Sequence, residues 1–101
     1  MSAQRLTAFE KQIVAGLSSH APVAATLFDA WATLSDTSVQ TARSLIDLAQ
    51  LGVTEERAVK RVLDKSVDLG LLDAVPYGFR AREDAGSKFK RIAFALNVVE
   101  Y

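Results

Sequence analysis

The chain has 101 residues, half of them apolar, and its 12 basic side chains are matched by 12 acidic ones. That length supports one hydrophobic core and one domain, read as residues 1–101, and so apolar a composition excludes general disorder. No apolar run nears the roughly 20 residues that span a bilayer, and the lack of cysteine excludes disulfides, a thiolate nucleophile and cysteine zinc sites.

Residues 6–19 read as a first helix, because Leu6, Phe9, Ile13 and Leu17 recur at helical spacing while Arg5, Glu10 and Lys11 fall elsewhere. The opening MSAQRLTAFEKQ has no apolar signal-peptide core and carries a carboxylate, so a cytoplasmic location is expected. Ser18, Ser19 and His20 end the helix, where a histidine cation suits the dipole. Pro22 opens a second helix at a position that tolerates proline. Val23, Leu27, Trp31 and Leu34 form its stripe, widened by Ala24, Phe28 and Ala30. A helix apolar nearly all round is either central to the core or exposes a contact surface.

Ser35 or Asp36 is the expected cap of a third helix over about 37–50, with Val39, Ala42, Leu45, Ile46 and Ala49 inward. Gly52 follows it, where a glycine takes positive φ at little cost. Thr54 is the expected N-cap of a fourth helix over about 55–69, and Glu55 and Glu56 suit the start of its dipole. Ala58, Val59, Val62, Leu63 and Val67 face inward; Arg57, Lys60, Arg61, Asp64, Lys65 and Asp68 face out. Gly70 ends this helix, and so short a turn between two helices leaves one face of the second exposed.

A hairpin follows, with arms 71–75 and 79–83 and the turn Val75-Pro76-Tyr77-Gly78. By strand alternation Phe79 and Ala81 point to the helices, and Arg80 and Arg82 point away. A last helix starts at Asp84 or Ser87 and runs to about 99, with Phe89, Ile92, Ala93 and Leu96 inward. Phe94, Val98 and Tyr101 lie off that stripe, while Lys88, Lys90 and Arg91 read as a solvated face.

The run LGVTEERAVKRVLDKSVDLGLL resembles the helix-turn-helix of small bacterial, archaeal, plasmid and phage winged-helix regulators. The shared pattern is a Leu-Gly-Val turn, a Thr cap, Val59, Leu63 four later, and Gly70-Leu71-Leu72 leading to the wing. The resemblance covers residues 39–83. It departs from the family pattern by one extra residue between Gly52 and Val59 and by a Pro-Tyr-Gly wing tip in place of a basic one. Residues 35–38 are polar where many members have a first strand, so that strand is expected to be missing.

The resemblance implies a mainly α winged helix-turn-helix: helix-turn-helix over about 37–70, a two-stranded β-hairpin wing over about 71–83, and a closing C-terminal helix over about 85–99. It implies sequence-specific binding of double-stranded DNA by a transcription regulator, most simply a repressor. The residues it places at DNA are Thr54, Arg57, Lys60, Arg61 and Lys65 on the fourth helix, Arg80 and Arg82 on the wing, and Arg43. On a helix in the major groove, arginine donates two hydrogen bonds to guanine and lysine meets phosphate. A homodimer would set two such helices about 34 Å apart on a palindrome. Ile92, Phe94, Val98 and Tyr101, with the helix bearing Phe28 and Trp31, supply the expected dimer surface.

Charge supports this reading weakly. Residues 54–91 hold nine basic against seven acidic groups, net +2, whereas residues 1–53 hold three against four, net −1. Zero net charge and the Glu55-Glu56 pair favour the rival, a winged-helix module that binds protein without DNA. One histidine and no glycine-rich phosphate loop leave no catalytic or metal constellation, so neither an enzyme nor a cofactor is expected.

Overall fold

The structure, a computed structural model, describes residues 6–34, 39–82 and 86–98. The first helix, α1 (Ala8–Leu17), starts in a capping box. The Glu10 amide donates to Thr7 Oγ1 at 3.1 Å, and the Thr7 amide donates to Glu10 Oε1 at 2.9 Å. A short 3-10 turn, Ser18–His20, leads into α2 (Ala21–Trp31), with Pro22 in its first turn where no amide partner is lost. Of the two expectations for this apolar helix, central placement holds. It packs on α5 (Gly86–Val98), α3 (Ala42–Ala49), α4 (Glu56–Asp68) and α1. Phe28 stacks on Phe89 of α5 with ring centroids 5.3 Å apart, and Trp31 lies 5.1 Å from the same ring. Both Phe28 and Trp31 are buried, which removes them from the expected dimer surface.

The third helix begins five residues later than expected. Thr41, in extended conformation, caps α3: the Ser44 amide donates to Thr41 Oγ1 at 3.0 Å, and the Thr41 amide donates to Ser44 Oγ at 2.9 Å. The reason is long-range. Gln40 is bridged to Phe79 of the hairpin by two backbone hydrogen bonds of 2.8 Å, so the chain must be extended there. Val39 is consequently exposed at 42% and not inward. The bridge stands outside the two paired strands of the hairpin. The expected cap and the polar stretch at residues 35–38 lie outside the described residues.

The turn between α3 and α4 also differs from expectation. Gln50, not Gly52, is left-handed, with φ 59°. Leu51 N–H bonds to the Ile46 carbonyl at 3.0 Å and Gln50 N–H to the Asp47 carbonyl at 3.2 Å, closing the helix two residues before the glycine. Gly52 is extended, and Val53–Glu55 form a 3-10 turn ahead of α4. Gly70 does what was expected of it: φ is 88°, and Leu71 N–H reaches the Ser66 carbonyl at 2.9 Å, a Schellman closure.

β1 (Leu72–Val75) pairs antiparallel with β2 (Gly78–Ala81) in the register Leu72↔Ala81 through Val75↔Gly78. Gly78 must be glycine, because a Cβ there would collide with the Gln40 carbonyl of the bridge. The hairpin sits on the end of α4 through Leu71, Leu72 and Ala81, all buried. Four helices, a two-stranded antiparallel hairpin and a closing helix match a winged helix-turn-helix topology.

On α5, Phe89, Ile92, Ala93 and Leu96 are buried. Ile92 is fully buried, so it belongs to the domain's own core and not to an exposed dimer surface. Phe94 is 55% exposed; the Val98 side chain, Tyr101 and the expected helix start at Asp84 lie outside the described residues. Arg91 is no part of a solvated basic face. Its guanidinium is bound to the buried Glu10 of α1.

Candidate nucleic-acid interface

The α4 sequence ERAVKRVLDKSVD divides cleanly into two faces. Val59, Val62, Leu63 and Ser66 are buried, at the i, i+3, i+4, i+7 spacing of a core stripe. Ser66 is tolerated inside because its hydroxyl donates to the Val62 carbonyl at 2.7 Å. Arg57, Lys60, Arg61, Asp64, Lys65 and Asp68 are exposed on the opposite side. The helix is thus anchored by one face and by its Schellman closure, and its cationic face is turned to solvent.

Thr54 does not cap this helix. It is an exposed residue of the 3-10 turn, and Glu55 holds the cap position without a side-chain hydrogen bond. The 3-10 turn Val53–Glu55 fills the space between Gly52 and the start of α4. Val53, 68% exposed, shares a shallow open groove with Thr54, Glu56, Arg57 and Lys60.

Glu56 organises the charge at this end. Its carboxylate lies 3.4 Å from Lys60 Nζ, the i,i+4 pair that the spacing predicts, and 3.8 Å from an Nη of Arg43 on α3. Both contacts are solvent-exposed and individually weak. They draw two of the proposed DNA-facing cations onto one carboxylate. By contrast, Arg57, Arg61, Lys65 and Arg80 make no ion pair among the described residues.

On the wing, Arg80 and Arg82 are both exposed. Arg82 reaches across the hairpin to Asp73 at 3.7 Å. Tyr77, at the turn, is 85% exposed and covers nothing. Arg43, Lys60 and Arg57 therefore gather around the start of α4, while Arg80 and Arg82 form a separate cationic edge on the hairpin.

Val53 stands in the sequence only as the last residue of the Leu-Gly-Val turn, and its exposure beside Arg57 is what marks it. Away from this interface, Glu10, expected off the apolar stripe of the first helix, is buried because Arg91, 81 residues further on, and the Thr7 amide bind its carboxylate.

Comparison of the chain with protein-family models, with curated proteins and with solved structures returns no match. Among the described residues, no helix is long and apolar enough to cross a membrane.

Proposed function

We propose that this protein binds double-stranded DNA sequence-specifically as a homodimeric cytoplasmic transcription regulator, a repressor that blocks polymerase by occupying its site. One observation carries the reading: Arg57, Arg61 and Lys65 stand on one exposed helix face, free of ion pairs among the described residues, while the opposite face is buried. Side chains so placed can meet base edges and phosphates together when α4 lies in the major groove. Arg80 and Arg82 are the backbone contacts of the wing, and Arg43, Lys60 and Thr54 flank the start of the helix. The mechanism is occupancy, with no bond made or broken.

The homodimer rests on α5. Phe94 presents a large apolar ring to solvent at 55% exposure, and pairing two copies there supplies the second reading helix that a small, weakly charged domain needs. Light scattering tests it: a mass of two chains is expected at micromolar concentration, and Phe94→Glu should return it to one.

Duplex affinity measured against salt tests the DNA reading. Affinity should fall steeply between about 50 and 200 mM salt, and Arg57→Ala with Arg61→Ala should weaken it. A second reading, a protein-binding winged helix, draws on the grip of Glu56 on Arg43 and Lys60. Absence of duplex retention even at low salt, in the wild type as in those variants, would favour it.

A further inference from the structure

We infer that Val53 is a base-reading residue, one that selects a thymine through its 5-methyl group beside the guanine taken by Arg57. The inference rests on the DNA-binding reading above. A single exposed valine is unremarkable on a protein surface. Its placement makes this one different. Among the described large hydrophobic side chains only Tyr77 is more exposed than Val53, at 85% against 68%. Val53 lies in the 3-10 turn that leads directly into α4, four residues before Arg57, at the approach to the exposed face. The two share one groove, whose other lining residues are Thr54, Glu56 and Lys60. The groove therefore presents an apolar patch next to an unpaired guanidinium.

That pairing of chemistries has a counterpart on a base-pair edge. In the major groove guanine offers two acceptors that suit arginine, and the thymine methyl is the apolar group that side chains such as alanine or the threonine methyl contact. A 3-10 turn rises about 2 Å per residue and an α-helix about 1.5 Å, so the four residues from Val53 to Arg57 advance about 7 Å, while base pairs stack about 3.4 Å apart. Val53 and Arg57 thus span about two base-pair steps, and the preferred site should hold a thymine that close to the guanine. Glu56 sits in the same groove, but its carboxylate is engaged by Lys60 and Arg43, which leaves the apolar patch as the unclaimed reader.

The test begins with selection of preferred sites from a randomised duplex by the full chain. The preferred thymine is then replaced by deoxyuridine, which removes the methyl group and nothing else. The wild type should bind the uracil duplex about fourfold more weakly, the value of one buried methyl. Val53→Ser should bind both duplexes alike, and Val39→Ser, the same change at an exposed valine outside the groove, should keep the wild-type preference. Val53 is exposed, so circular dichroism of the variants should match the parent. Equal wild-type affinity for thymine and uracil duplexes overturns the inference, as does an unchanged preference in Val53→Ser. Failure to bind any duplex overturns the DNA-binding reading itself, and duplex binding without a methyl effect overturns this inference alone.

Discussion

Arg91 grips Glu10 with two hydrogen bonds, Nε to Oε2 at 2.9 Å and Nη2 to Oε1 at 3.1 Å, and so ties the closing helix to the first one. Glu10 is 2% exposed and also accepts from the Thr7 amide, so its carboxylate is fully employed. The arginine bond is the main cause of a carboxyl pKa held below its ordinary value, against the opposing pull of burial. A carboxyl depressed in the folded state stabilises the fold above its unfolded pKa, and that contribution is lost as pH falls through the folded value. Stability of the wild type should therefore decline as pH drops below about 4.3. Glu10→Gln should be less stable at neutral pH and lack that decline; parallel urea midpoints for the two proteins from pH 7 to 3 would refute the linkage. Glu10→Ala, which also deletes half the capping box, should cost about 2 kcal/mol at pH 7.

Gln50 occupies a conformation that favours glycine. With φ at 59° it closes α3, and its amide and that of Leu51 already satisfy the helix end. Gln50→Gly relieves the Cβ crowding and keeps those bonds, so stability should rise by about 0.5–1 kcal/mol. Thermal unfolding should show a midpoint higher by a few degrees. A lower midpoint would mean that the side chain contributes more than its backbone costs.

Gly78 marks the tightest point of the wing. Any Cβ there meets the Gln40 carbonyl, so Gly78→Ala must break the Gln40–Phe79 bridge or move the hairpin. A loss of about 2–3 kcal/mol is expected. Hydrogen exchange should quicken at the Gln40 and Phe79 amides, while the amides inside α2, distant from the bridge in the chain and held in the core, should keep their protection. Unchanged protection of both bridge amides would contradict the geometry.

Glu56 holds two cations that the proposed DNA site could use. Glu56→Gln frees Arg43 and Lys60 and removes a negative charge that a bound phosphate would face. Affinity for duplex DNA should rise about threefold at low salt, with the gain shrinking as salt rises. A fall in affinity would assign Glu56 a direct role in base recognition. Arg57→Ala should act differently, costing about 1–3 kcal/mol and relaxing preference at one base pair.

The apolar stripes of α2, α4 and α5 and the hairpin were legible because each is periodic and local. Val59, Val62 and Leu63, or Phe89, Ile92 and Leu96, announce their faces without help from the rest of the chain. The start of α3 was not legible. The sequence pointed to Ser35 or Asp36, whereas the cap is Thr41, next to Gln40, which is bridged to Phe79, 39 residues further on. The turn residue was misplaced for a related reason: glycine preference is a tendency, and Gln50 takes the left-handed position once α3 begins late and Leu51 must reach Ile46. At the candidate interface, the outward set on α4 followed from periodicity. The neutralising role of Glu56 toward Arg43 depends on how α3 and α4 approach each other, which no local pattern encodes.

The chain has one tryptophan, and it lies against Phe89, at the meeting of the second and last helices. The indole is 2% exposed, so its emission should sit at the blue end of the indole range. Any event that lifts the closing helix, whether acid, a partner or a substitution at Arg91, would wet that ring and redden its light. The molecule thus contains a native optical gauge of whether its last segment is seated, readable without a label.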